Sequence, residues 1–181
     1  MRTLLFGIEV CDLTAQFPDV PFASASKTHP PEGIIGISLH HDAIPMEADT
    51  LRDDLLRCKA IYDWDVAHYG GIGYPLIASP SGRLFWTRPL NTWGCHTAGL
   101  NDRLLGICAM GDWRLETPPD AQLCALSLGL IALWRWRGSL LNVQGHRQWP
   151  NQATECPGQK LIEAIPKILA FAAWNANRYP G

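Results

Sequence analysis

Two residue types that bind transition metals lie ten positions apart near the end of the sequence. His146 and Cys156 bound the polar loop HRQWPNQATEC, which is followed by Pro-Gly and then by an apolar amphipathic run. Imidazole nitrogen and thiolate sulfur are both ligands that zinc takes in proteins. A surface loop with an incidental thiol would have the same composition, so the metal hypothesis needs a third ligand.

A third candidate ligand follows an apolar segment early in the chain. Residues 34–39, IIGISL, are short, apolar and rich in isoleucine, which predicts a buried strand, and His40 and His41 come directly after it. The end of a strand is the usual place for a site built on a sheet. Catalytic zinc typically has three protein ligands and one open position. A single histidine at a strand end is more often structural, but a pair of histidines there together with the His-Cys loop makes this strand end a candidate source of the third ligand.

Three segments with helical patterns cover residues 48–68, 117–137 and 159–172. Asp49 or Thr50 can cap the first helix, and Thr117 is predicted to cap the second, which should end at Gly138. Strand patterns cover residues 34–39, a hairpin over 75–90, 104–111 and 140–144. This order predicts an α/β (α+β) fold, a single domain with a central mixed β-sheet flanked by helices.

Composition restricts the class of protein. The 181 residues are 47% hydrophobic and 18% charged, which excludes a disordered chain, and the net charge of −2 with scattered Lys and Arg gives no basis for a nucleic-acid partner. The most apolar segment, ALSLGLIALW, is about half the roughly 20 residues of a membrane span, so we expect no membrane insertion. The N-terminus lacks a signal-peptide pattern, so we expect a soluble, cytoplasmic protein, and we expect a monomer.

The six cysteines are irregularly spaced and contain no CxxC pair. We predict mostly buried free thiols, although a disulfide framework is the weaker alternative. A thiol hydrolase using Cys95 or Cys156 is a further alternative.

Several stretches, in the same order, resemble the type 2 N-acetylmuramoyl-L-alanine amidase family, which includes phage amidases and animal peptidoglycan recognition proteins. They cover roughly residues 34–169 and are IIGISLHHDA, GGIGYPLIASPSGRLFWTRPL, WGCHTAGLND, LLGICAMGDW, TPPDAQLCALSLGL, VQGHRQW and ATECPGQKL. The resemblance implies the fold of that family and an amidase domain over residues 33–175, with an extended lead-in over 1–32 and a tail over 176–181.

The resemblance also implies roles for individual residues. They are zinc ligands at His40, His146 and Cys156, catalytic residues at Tyr74 and Thr154, and substrate-binding residues at His96 and Asn101. The implied cofactor is Zn²⁺, the implied partner is peptidoglycan or a muropeptide, and the implied reaction is hydrolysis of the amide between the lactyl group of N-acetylmuramic acid and L-alanine.

The resemblance leaves the biological role open. A phage-type endolysin that waits in the cytoplasm and acts on the cell wall after release is the first expectation. A bacterial muropeptide-recycling amidase and a non-catalytic peptidoglycan-binding module are the alternatives. Relatives that have lost hydrolysis typically replace the cysteine, so Cys156 favours an active enzyme.

Some residues depart from the family pattern or lie outside the implied site. Pro75 stands where the family often has His, which predicts that the strand at Tyr74 is an edge strand or is bulged. We expect His29 and His68 to be solvated and Arg88 to be a loop charge.

Overall fold

The structure is a computed structural model that describes residues 1–18, 27–45, 50–176 and 178. Within these ranges a seven-stranded mixed sheet is covered by helices, which confirms the predicted fold class. The strands are β1 (Arg2–Leu5), β2 (Ile8–Asp12), β3 (Gly36–His41), β4 (Leu76–Ala78), β5 (Leu84–Trp86), β6 (Leu104–Ala109) and β7 (Asn142–Gly145). The helices are α1 (Leu51–Tyr69), α2 (Asp120–Arg137) and α3 (Gln159–Ala176), and short 3-10 turns occupy Pro31–Gly33 and His146–Gln148.

The strand order β1-β2-β5-β4-β6-β3-β7 places β3 and β6 inside the sheet. β3 is parallel to both β6 and β7, so the carboxyl ends of these three strands lie at one edge of the sheet. Every residue of β3 and β6 is buried, as expected of parallel strands that are covered on both faces. The edge at their carboxyl ends can therefore gather side chains from distant parts of the chain.

The two faces of the sheet are covered by different helices. Ile37 and Leu39 of β3 belong to the larger apolar cluster, which includes residues of α2 and α3. Cys108 of β6 belongs to the smaller cluster with Cys58 and Ile61 of α1. Because side chains alternate along a strand, Ser38 and His40 lie on the α1 face together with Cys108, whose register partner is His40.

The predicted helix ends are confirmed at α1 and at the end of α2. Thr50 caps α1 by accepting a hydrogen bond from the backbone nitrogen of Asp53, and Gly138 ends α2 with a φ of 78°. The predicted cap at Thr117 is wrong, since α2 begins at Asp120 after Pro119. A residue that precedes proline is pushed towards extended backbone, so neither Thr117 nor Pro118 can enter the helix.

Residues at the N-terminus belong to the sheet, in contrast to the predicted lead-in over 1–32. β1 and β2 form an antiparallel hairpin, and β2 pairs in parallel with β5. Phe6 and Gly7 connect them with φ values of 49° and 81°, the positive pair that a two-residue hairpin turn requires. Residues 19–26 of the predicted lead-in lie outside the described residues, as does most of the predicted tail, although α3 extends to Ala176.

The strand that follows Tyr74 is neither at an edge nor bulged, so that prediction is wrong. β4 lies between β5 and β6, and Pro75 precedes its first residue. The missing N–H of Pro75 therefore removes no hydrogen bond between strands, while its carbonyl accepts one from the backbone nitrogen of Thr87 at 3.0 Å.

Two polar residues that were expected in solvent are buried. The His29 Nε2 lies 2.8 Å from the carbonyl oxygen of Leu90, and Arg88 donates to the carbonyl of Ile72 and to the Thr92 hydroxyl. Backbone carbonyls of irregular segments accept these donors, which sequence patterns do not reveal. His68 is exposed, as predicted.

The cysteines are free, as predicted, but only two of the six are fully buried. These two are Cys58 and Cys108, and the others are partly buried. None of the described helices is long and apolar enough to cross a membrane.

Candidate metal centre

His40 is the penultimate residue of β3, because the strand ends at His41, two residues later than the sequence suggested. Its side chain is 1% exposed. In the register of the parallel pair β3–β7, Leu39 lies opposite Gly145. The next residues along the chain are His40 in β3 and His146 in the 3-10 turn after β7, so the pairing of these strands brings two of the predicted ligands side by side.

The loop after β7 returns to the same point. The backbone nitrogen of Arg147 donates to the carbonyl oxygen of Cys156 at 3.0 Å, which closes the loop at its two ends. Gly145 permits this close return, because a Cβ at this position would lie 2.8 Å from Cδ of Pro157. The sulfur of Cys156 accepts a hydrogen bond from the backbone nitrogen of His41 at 3.4 Å, which attaches the loop to β3.

The predicted ligands form one cluster. Donor atoms of His40, His146 and Cys156 lie within 4.8 Å of one another, and the His40 Nδ1 is 3.6 Å from the sulfur of Cys156. The rings of His40 and His146 have their centroids 4.5 Å apart. Two imidazoles and one thiol at these distances match the ligand types of a catalytic zinc site with one open position.

Hydrogen bonds determine which nitrogen of His146 is free to bind a metal. The amide nitrogen of Gln152 donates to the carbonyls of Ala98 and Pro150, both at 3.0 Å, so its oxygen is left as an acceptor. That oxygen lies 3.1 Å from the His146 Nε2, which must therefore carry the proton. The lone pair of Nδ1 remains available. Gln152 therefore orients this ring, a role that its place in the loop did not predict.

Burial sets the protonation states of the cluster. Loss of solvent lowers the pKa of His40 well below its ordinary value, with the neighbouring His96 and His146 as lesser causes, and it also lowers the pKa of His146. Both rings are therefore neutral near pH 7 and can donate lone pairs. Burial raises the pKa of the Cys156 thiol to about 12, so this thiol is protonated until a metal displaces the proton.

The two predicted catalytic residues flank the cluster. The ring of Tyr74 has its centroid 5.2 Å from that of His40, and burial raises the pKa of its phenol well above the ordinary value. The hydroxyl oxygen of Thr154 accepts a hydrogen bond from the backbone nitrogen of Cys156 at 3.1 Å. Both residues line the cavity that contains the ligands.

The two predicted substrate-binding residues have structural contacts. Asn101 accepts hydrogen bonds from the backbone nitrogens of His96 and Thr97 at 2.9 and 2.8 Å, so its side-chain oxygen shapes the loop. Burial lowers the pKa of His96 to about 3, and its Nδ1 lies 2.8 Å from the Thr97 hydroxyl. Both residues line the cavity wall, and substrate binding by them stays a prediction.

A groove crosses the cluster. A cavity of about 420 Å³ contains the ligands, and it shares His41, Trp64 and Tyr74 with a neighbouring cavity of about 490 Å³ on the α1 side. On the other side it shares His96 and other residues with a cavity of about 570 Å³. The groove therefore extends in both directions from the ligand cluster, with space for a substrate on each side.

The chain matches a known protein family and is similar in sequence to several characterised proteins. The family described as N-acetylmuramoyl-L-alanine amidase matches residues 29–159. Peptidoglycan-recognition protein LB of Drosophila melanogaster is 31% identical over 144 residues, covering 77% of this chain and 61% of that protein. The N-acetylmuramoyl-L-alanine amidase of Homo sapiens is 30% identical over 150 residues, covering 75% of this chain and 24% of that protein.

A solved structure agrees with the observed fold. Bumblebee PGRP-SA superposes with a TM-score of 0.71 at 26% identity, covering 87% of this chain and 93% of that chain.

The chain spans only part of the length of the two curated relatives named above, 61% of the Drosophila protein and 24% of the human protein. The region matched by the family contains every residue of the ligand cluster.

Proposed function

The chain belongs to the N-acetylmuramoyl-L-alanine amidase family, and on that premise we propose that it is a zinc-dependent amidase of peptidoglycan. The bond that it would cleave is the amide between the lactyl group of N-acetylmuramic acid and L-alanine. One observation carries the proposal: donor atoms of His40, His146 and Cys156 lie within 4.8 Å of one another in a groove.

The donor set fits zinc. Two neutral imidazoles and a thiol that gives up its proton would supply two nitrogens and one sulfur, the three protein ligands of a catalytic zinc site, and all three residues line the cavity where a substrate would lie. When bound, Zn²⁺ supplies Lewis acidity at the scissile carbonyl and activates water for attack. The residues of this chain hold the ion, orient the amide and stabilise the charge that develops on its oxygen.

Tyr74 is the proposed donor to that oxygen. Because burial keeps its phenol protonated throughout the neutral range, Tyr74 can donate a hydrogen bond and cannot serve as a base. A donor placed where charge develops in the transition state is worth roughly a hundred- to a thousandfold in rate. Its place on the cavity wall beside His40 supports this role.

Thr154 is the proposed second donor. Its oxygen is engaged by the backbone nitrogen of Cys156, which leaves the hydroxyl proton free to point into the cavity. A hydroxyl stabilises a developing anion less than an ammonium group would, so the larger share of the stabilisation falls to the metal and to Tyr74.

The substrate proposed is peptidoglycan, with the glycan strand and the stem peptide on opposite sides of the cleaved bond. The cavities on both sides of the ligand cluster support an extended substrate. We extend the proposal to a cell-wall-degrading, endolysin-type role. Cleavage of intact sacculi at a rate similar to that of soluble muropeptides would support this role, whereas cleavage of soluble muropeptides alone would favour a recycling enzyme.

The alternative of a thiol hydrolase requires a reactive thiolate, which needs a lowered pKa. The pKa of Cys156 is raised to about 12 instead, which argues against it as a nucleophile. The alternative of a binding module predicts that the protein retains peptidoglycan without releasing product. The ligand cluster and Tyr74 favour catalysis, because a binding module needs neither a metal site nor a hydrogen-bond donor beside it.

The direct test is product analysis with purified sacculi. We expect new L-alanine amino termini and unmodified glycan chains, with cleavage lost after chelation and restored by zinc. Cys95→Ser, which changes the other thiol on the cavity wall, should retain activity. Retention of sacculi without new amino termini would overturn the amidase proposal, and loss of activity in Cys95→Ser with resistance to chelators would favour the thiol hydrolase.

A further inference from the structure

Three side chains converge on the hydroxyl of Thr97, next to the ligand cluster. The Thr97 Oγ1 lies 2.8 Å from the His96 Nδ1, 3.2 Å from the Ser38 Oγ and 3.4 Å from the His40 Nε2. Ser38 and Thr97 are fully buried, and the two histidines nearly so. Buried polar groups must form hydrogen bonds with one another because little solvent reaches them. The hydrogen bonds within this group therefore determine which of its atoms carry protons.

A count of protons fixes the tautomer of His40. A threonine hydroxyl has one proton and two lone pairs. The Thr97 hydroxyl donates its proton to Ser38, so it can only accept from the two imidazoles. The His40 Nε2 must then carry a proton, which leaves the lone pair on Nδ1, the atom that lies 3.6 Å from the sulfur of Cys156.

The group is attached to rigid parts of the fold. Ser38 lies two residues before His40 on the same face of β3. The backbone nitrogen of Thr97 is held by the side-chain oxygen of Asn101 at 2.8 Å. The Thr97 hydroxyl therefore approaches His40 from a fixed direction.

We propose that the hydroxyl pair Ser38–Thr97 is a positioning device that holds His40 in the tautomer and orientation required to bind the metal. The inference rests on the zinc site of the proposed function. Thr97 does not touch the metal, and it acts through His40. Groups that orient a metal-binding histidine in this way contribute roughly 10- to 100-fold to metal affinity.

The test is Thr97→Val, which keeps the shape of the side chain and removes the acceptor. We expect zinc affinity, measured by competition with a chelator, to fall roughly 10- to 100-fold. Two-bond ¹H–¹⁵N spectra of the metal-free protein should show His40 as the Nε2–H tautomer in the wild type and as a mixture in the variant. Thr97→Ser should restore both results.

Two further variants separate positioning from stability. Ser38→Ala removes the acceptor of the Thr97 proton, so we expect a smaller loss of zinc affinity in the same direction, and this variant serves if Thr97→Val does not fold. Ser127→Ala removes a buried hydroxyl of α2, on the far side of the sheet, and should leave zinc affinity unchanged.

The inference is overturned if wild-type protein binds zinc while Thr97→Val, or Ser38→Ala in its place, binds zinc equally well with the same His40 tautomer. Failure of the wild type itself to bind zinc would instead overturn the proposed function. The two failures are therefore distinguishable in the same set of measurements.

Discussion

The His40 Nδ1 lies 3.6 Å from the sulfur of Cys156, although 116 positions separate the two residues in the chain. Parallel pairing of β3 with β7 brings His146 beside His40, and the hydrogen bond between Arg147 and Cys156 returns the loop. The metal-ligand cluster is thus a consequence of strand register and loop closure. Changes to the ligands should affect metal binding more than they affect the fold.

Cys156→Ser should abolish tight zinc binding while the protein remains folded. A hydroxyl at this position does not ionise to replace the thiolate, so we expect zinc affinity to fall by about 100-fold or more. The measurement is zinc content after dialysis together with chelator competition. Cys124→Ser on α2 is the matched control for loss of a partly buried thiol, and equal zinc content in the two variants would contradict the ligand assignment.

Zinc binding should release about one proton per ion near pH 7. The thiol of Cys156 is protonated without metal because its pKa is raised to about 12, whereas the lowered pKa values of His40 and His146 leave both rings neutral. Zinc affinity should consequently rise about tenfold for each pH unit between pH 7 and 9. Calorimetric titration in buffers of different ionisation enthalpy measures the proton count, and a value near zero would show that the thiol is not the ligand.

Tyr74→Phe should lower the rate of amide cleavage and leave zinc affinity unchanged. The substitution removes one hydrogen-bond donor from the cavity wall and keeps the ring that packs beside His40. We expect kcat to fall roughly a hundred- to a thousandfold with little change in KM. An unchanged kcat would remove Tyr74 from the proposed mechanism.

The effect of Asp65→Asn on the free energy of unfolding should become more favourable as the pH rises from 4 to 7.5. Asp65 is buried, and loss of solvent raises its pKa to about 6, although the Gly73 backbone N–H at 2.8 Å opposes this shift. Since the raised pKa means that the folded state binds the proton more tightly, the stability due to protonated Asp65 is present below about pH 4 and is lost as pH rises through 6. The asparagine of the variant does not titrate. The free energy of unfolding of the variant should therefore increase by roughly 2 to 3 kcal/mol relative to that of the wild type between pH 4 and pH 7.5.

Chemical denaturation of both proteins at the two pH values measures this difference. Groups that titrate in both proteins cancel in the comparison. If the difference in free energy of unfolding between wild type and variant did not change with pH, folding would not raise the pKa of Asp65, and the prediction would be wrong.

Gly106→Ala should destabilise the fold through His96. A Cβ at Gly106 would lie 2.8 Å from Cδ2 of the His96 ring, which packs directly on this residue of β6. Overpacking of this kind costs roughly 1 to 3 kcal/mol. Gly33→Ala is the control, because its Cβ would meet its nearest neighbour at 3.8 Å, and equal stability of the two variants would contradict the packing of His96.

The main helices, the central strands and the ligand cluster were predictable from the sequence, whereas the N-terminal hairpin was not. Apolar runs and end signals such as Gly138 predicted the helices and central strands. The family resemblance, and not the residue pattern alone, supplied the set His40, His146 and Cys156 that the structure brings together. The N-terminal hairpin was missed because its turn contains Phe6, a residue that rarely adopts positive φ.

The residues that orient the ligands were not predictable. Gln152 contacts His146 from within the same loop, and Thr97 contacts His40 from a segment 57 residues away, each by a single hydrogen bond. Neither residue type nor its sequence neighbours indicate this partner. Such contacts depend on register and loop path, which become known only when the chain is assembled.

The central claim is tested most directly by titrating metal-free protein with zinc while following release of L-alanine amino termini from peptidoglycan. The account predicts no cleavage without zinc, a linear rise in activity and a break at about one zinc per chain. Activity that is present in metal-free protein and does not change as zinc is added would contradict it.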